Sequence, residues 1–163
     1  MENTTKTVEG GCACGHIRYQ LHSDPMIVHC CHCKYCQRQT GSAFVLNALL
    51  EANRVEIIQG KVNDILVPTP SGKGQKIARC QKCEIAVWSN YFMGGLFEKI
   101  RFVRVGTLDN PDRLPPDIHI YTESKQPWVT LTENDQAVEK FYIYEATWSQ
   151  QSLDRRKALF DLL

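Results

Sequence analysis

CCHCKYC, residues Cys30 to Cys36, puts four cysteines and a histidine into seven positions. Disulfides, a metal that holds the fold together, and a metal that does chemistry are the three explanations for so much thiol in one place. The chain has eight cysteines, and the other four fall in two pairs, CAC (Cys12, Cys14) and CQKC (Cys80, Cys83). Gaps of one and two residues are metal-ligand spacing rather than the scatter of a disulfide framework.

The rest of the chain supports that choice. Its start, MENTTKTVEGG, is polar, and no apolar run is long enough to span a membrane. This predicts a cytoplasmic protein with no membrane partner, in a compartment that keeps thiols reduced. The chain has 163 residues with 23% charged and a net charge of +1. That balance argues against a nucleic-acid partner, and the oligomeric state is left open.

Zinc takes four ligands in a tetrahedron, and two short turns can supply two thiolates each. CAC and CQKC meet that requirement, each beside a strand-like segment. HIRYQL alternates Ile17, Tyr19 and Leu21 against His16, Arg18 and Gln20, and AVWSNY follows the second pair. Four thiolates leave no open position, so this site is expected to be structural; unmetallated core cysteines are the simpler alternative.

The central cluster has a different count. Neighbouring side chains on extended backbone point to opposite sides, so Cys30 and Cys31 do not grip one ion together. The registers Cys31, Cys33, Cys36 and Cys30, Cys33, Cys36 both remain. Either supplies three thiolates and leaves a fourth position for a histidine, the spare cysteine, water or substrate, which is the count of a catalytic zinc. A second closed structural site is the competing explanation.

GGCACGHIRY, CCHCKYCQRQTGSAF, RCQKCEIAVW and DIHIYTESKQPW, taken together from about Gly10 to Phe141, resemble the glutathione-dependent formaldehyde-activating enzyme family. The resemblance implies a mainly β, zinc-stabilised tent of small antiparallel sheets with short helices. It also implies two zinc ions per chain, one structural at Cys12, Cys14, Cys80 and Cys83 and one catalytic at Cys31, Cys33 and Cys36. The implied activity is a carbon-sulfur lyase reaction joining a thiol such as glutathione to a small aldehyde such as formaldehyde. A eukaryotic centromere protein carries the same domain as a binding module, so the alternative is a non-catalytic zinc module for protein or nucleic-acid recognition. Residues 1–146 form the family-like domain and 147–163 a C-terminal helical extension, with Leu153, Leu159, Leu162 and Leu163 as its apolar positions.

The chemistry is consistent with that activity. A thiolate is the nucleophile, and a free thiol is only a few per cent ionised near neutrality, whereas a coordinated thiol is deprotonated. Glutathione carries two carboxylates, and KYCQRQTGS offers Lys34, Gln37 and Arg38 to receive them, Arg38 foremost because its planar fork can bind bidentately; a surface salt bridge is the plainer role for it. His32 either shuttles a proton, hydrogen-bonds a ligand sulfur or faces water. His119 and Trp128 read as packed core residues. Glu84 stands where a glycine would make the knuckle turn after CQKC.

Overall fold

The computed structural model describes residues 7–163. Ten strands form two sheets. In chain order they are β1 (Val8–Gly11), β2 (Arg18–Leu21), β3 (Ile27–Cys31), β4 (Val45–Glu51), β5 (Val55–Gln59), β6 (Val62–Val67), β7 (Gln75–Cys80), β8 (Ala86–Tyr91), β9 (Ile100–Arg104) and β10 (Ile118–Ile120). Helix α1 (Lys34–Thr40) follows β3; α2 (Tyr144–Thr147) and α3 (Gln150–Phe160) close the chain. The small sheet runs β1-β2-β5 and the large one β10-β3-β4-β9-β8-β7-β6. The mainly β class expected from the sequence holds, and the large sheet gains one parallel pair, β10 on β3.

Side-chain alternation along strands gives the large sheet two different faces. Val28, Ala48, Leu50, Val103 and Trp88 bury against Ile17, Tyr19, Leu21 and Val55 of the small sheet. Tyr19 meets Trp88 edge-on at 5.7 Å and its hydroxyl pairs with Thr107 Oγ1 at 2.7 Å, so both the apolar body and the polar end of the ring are satisfied. The second face carries Ile27, Cys31, Val45, Leu49, Ile100, Ile118 and Ile120, covered by Tyr142, Trp148 and Leu159.

The tail packs closely on this second face. Ser149 caps α3 by accepting from Ser152 N, Ser152 Oγ donates to Met26 O at 2.8 Å, and Arg155 grips both carboxylate oxygens of Glu51. Leu159 is buried, but the helix ends at Phe160, and Leu162 and Leu163 lie beyond it, 71% and 66% exposed. The apolar stripe expected of the tail is therefore shorter than its leucines suggest.

Candidate metal centres and substrate cleft

Each cysteine pair sits where a hairpin turns. Cys12 and Cys14 lie between β1 and β2, where Gly11 is required because a Cβ there would come within 2.2 Å of Ile17 O. Cys80 and Cys83 lie between β7 and β8. Backbone N–H groups point at the sulfurs, Ile17 N to Cys12 Sγ at 3.2 Å and Lys82 N to Cys80 Sγ at 3.3 Å. The four sulfurs converge, with Cys12 and Cys14 3.6 Å apart and Cys14 and Cys80 3.8 Å apart. The edge of a tetrahedral zinc-thiolate site with bonds of about 2.3 Å is about 3.8 Å, so the donors fit that ion. Glu84 makes the turn without glycine by adopting a left-handed conformation, φ 61°, with its N–H on Cys80 O and its carbonyl held by Arg79 Nη1 at 2.8 Å.

The central cluster forms where β3 runs into α1. Cys31 ends the strand, Cys33 caps the helix by accepting from Cys36 N at 3.3 Å, and Gly41 ends the helix with φ 67°. The sulfurs of Cys31, Cys33 and Cys36 converge within 4.8 Å of one another. Cys30 faces the other side of the strand, 1% exposed, with its sulfur 3.5 Å from His32 Nε2. Of the two registers left open by spacing, the backbone brings together the one with Cys31.

Electrostatics shows what this trio needs. Hydrogen bonds from Cys31 and Cys36 pull the Cys33 thiol down to about 3. The bond shared with Cys33, helped by burial, pushes Cys31 up to about 12, and the bonds to Cys31 and Cys33 push Cys36 upward as well. Without a cation the trio therefore stabilises one thiolate at the expense of the other two, and three thiolates coexist only around a positive charge.

His32 does not face water, and the sulfur it meets is not one of the trio. It is fully buried, stacks on His119 and meets His119 Nδ1 through Nε2 at 2.9 Å; its nearest sulfur belongs to Cys30. Cys30, His32 and His119 converge like a third ligand set, but two nitrogens on one zinc ion stand about 3.3 Å apart. The shorter 2.9 Å separation is that of an N–H···N hydrogen bond. Burial pulls both imidazoles below their ordinary values, His32 to about 4, so the pair is neutral.

A cavity of about 440 Å3 opens on the flank of α1, lined by Lys34, Gln37, Arg38, Ser42, Gln126 and Trp128 among others. The three cysteines do not line it; α1 links them, since its first turn holds Cys33 and Cys36. Arg38 has no hydrogen-bond or ion-pair partner among the described residues, so the surface salt bridge is absent there. Gln37 is already engaged, its amide donating to His32 O and Ser124 O at 2.7 and 3.0 Å. Trp128, expected in the core, is 70% exposed and donates its indole N–H to Gln126 Oε1; it walls the cleft because its segment runs over the surface after β10.

Tyr121 was not anticipated. It directly follows β10, which pairs Ile120 with Cys31, and it takes the left-handed conformation at φ 56°. Burial raises its phenol pKa, and charge on Cys31, Tyr91, Cys33 and Cys36 raises it further. A large residue at positive φ costs about 1 kcal/mol or more and persists where its surroundings impose it. No sequence pattern signals such a conformation at a tyrosine.

The profile described as glutathione-dependent formaldehyde-activating enzyme matches residues 7–124. Comparison with curated proteins gives no match. Among solved structures, a Rhodobacter sphaeroides protein from a structural-genomics programme is similar with a TM-score of 0.46 and 18% identity, over 64% of this chain and 93% of its own.

Proposed function

Because the chain belongs to the glutathione-dependent formaldehyde-activating enzyme family, we propose that it joins a thiol of the glutathione class to formaldehyde or a similarly small aldehyde, at Cys31, Cys33 and Cys36. The observation that carries this reading is the convergence of three thiols with no fourth ligand in their group among the described residues, next to a helix whose exposed flank offers Lys34 and Arg38, neither in an ion pair there.

Zinc, held by Cys31, Cys33 and Cys36, would supply a cation that keeps an incoming thiol in its anionic form. The second zinc of the proposed pair belongs to Cys12, Cys14, Cys80 and Cys83 and is structural. Arg38 and Lys34 receive the thiol's carboxylates, Arg38 by its fork. Gln37 contributes by fixing the start of α1 to the Ser124 turn. The Tyr121 phenol donates a hydrogen bond to the aldehyde oxygen as charge builds there. A carbon-sulfur bond forms, the carbonyl electron pair moves to oxygen, and the thiol's proton ends on that oxygen. Nothing is oxidised or reduced, which suits a redox-inert ion. The clustering of the cysteines in ligand sets supports a reducing, cytoplasmic setting. No helix among the described residues is long and apolar enough to cross a membrane.

The test is exchange NMR on formaldehyde and glutathione with zinc-loaded protein. Interconversion with S-hydroxymethylglutathione should accelerate with wild-type protein and return to the uncatalysed rate with Cys31→Ala. No acceleration by the wild type would favour the binding-module alternative.

A further inference from the structure

Arg104, the last residue of β9, is a cation buried without an acid. It is only 9% exposed, and its guanidinium donates to two neutral amides, Asn47 Oδ1 on β4 and Gln39 Oε1 on α1. No carboxylate among the described residues forms an ion pair with it. Two partly buried arginines are provided for: Arg155 pairs with Glu51, and Arg101 lies 4.5 Å over the Trp88 ring. A buried charge without a counter-ion is strongly unfavourable, so an anion is expected close by.

The sheet register indicates where that anion is. Cys31 pairs with Val45 and Asn47 with Arg104. Cross-strand partners share a face, as do residues two apart. Cys31, Asn47 and Arg104 therefore all point to the side covered by α1, the helix that carries Cys36. The attraction on the guanidinium comes from Cys36 first, then Cys31 and Tyr35, against repulsion from Arg79. One dication with three thiolates has a net charge of −1, and a fourth thiolate makes it −2. With zinc held there, Cys31, Cys33 and Cys36 would form an anion of the kind that the guanidinium lacks.

We propose that Arg104 is the countercharge of the Cys31-Cys33-Cys36 centre, stabilising the excess negative charge that the metal-bound trio buries and that an added thiol increases. The proposal rests on zinc occupying this trio, and it assigns the centre a cation outside the ligand set. Gln39 and Asn47 hold that cation in place beneath α1.

Two substitutions separate charge from hydrogen bonding. Arg104→Gln keeps an amide donor and removes the charge; Arg104→Lys keeps the charge and loses the fork. Chelator competition on zinc-loaded protein reads the two metal sites separately. The Gln variant should hold the central zinc on the order of tenfold more weakly, the Lys variant within about threefold of wild type, and neither should change the four-cysteine site. Glutathione should also tighten on the central site less in the Gln variant than in wild type. Arg104→Met, which fills similar volume, gives the same reading if the Gln variant does not fold. Retention by Gln with loss by Lys would assign Arg104 to holding α1 through Gln39, and equal losses at both sites would mean general destabilisation; either result overturns the proposal. A wild-type chain whose trio takes up no zinc would instead remove the reading beneath it.

Discussion

At Cys12, Cys14, Cys80 and Cys83 the four thiols come from two hairpins in different sheets, the β1-β2 turn of the small sheet and the β7-β8 turn of the large one. Cys31, Cys33 and Cys36 come from one strand end and the helix turn that follows it. An ion at the first set would close a loop of 66 residues between Cys14 and Cys80 and fasten one sheet to the other. An ion at the second closes almost nothing, because local backbone already brings the three sulfurs together. Loop closure would make binding at the first set part of folding. Binding at the second would be free to be reversible and to accept a further ligand, as the proposed function requires.

The strongest way to break this comparison is to remove one ligand from each set. Cys80→Ser, at a fully buried position, should abolish the folded state, because structural zinc contributes an apparent ~10 to 16 kcal/mol against a total domain stability of about 5 to 15 kcal/mol. Cys36→Ser should melt close to wild type and retain one zinc. Thermal melts paired with elemental analysis check both, and equal collapse would make the central site structural too.

A narrower test uses the neighbours Cys30 and Cys31. Cys31→Ala should reduce the zinc count from two to one. Cys30→Ala should keep both ions and cost about 1 kcal/mol, as small core truncations do. The opposite zinc stoichiometry would reverse the register.

The cleft on α1 sharpens the contrast at the substrate end. Arg38→Ala should raise the KM for glutathione about tenfold by losing a charge-assisted contact, with kcat and zinc content nearly unchanged. An unaltered KM would place the carboxylates elsewhere.

The smallest effect belongs to the four-cysteine knuckle. Glu84 is held at φ 61°, so Glu84→Gly should relieve backbone strain and stabilise the protein by about 0.5 kcal/mol after glycine's greater unfolded-state freedom is subtracted. A melt raised by about 1 to 2 °C is expected; a lowered one would mean that Glu84 makes contacts worth more than the strain.

The sequence was most informative where spacing is chemistry. The grouping of thiols, and alternating strands such as β2, were legible because ligand gaps and period-two patterns are local. β4 was not, because VLNALLE is buried along almost its whole length and a strand covered on both faces loses its alternation. Trp128 was misread because a large aromatic suggests core, and only the path of the loop after β10 exposes it. His119 was half read, since its pairing with His32 needs the parallel register of β10 on β3. Arg104 carries no local signal, and its lack of an acidic partner among the described residues is a fact of three dimensions.

The central claim is that one metal site is closed and the other waits for a thiol. Zinc-edge X-ray absorption on fully loaded protein, before and after glutathione, tests it most directly. The account predicts about 3.5 sulfur neighbours per zinc without thiol and about 4 with it. A value of about 4 before glutathione is added, unchanged afterwards, would contradict it.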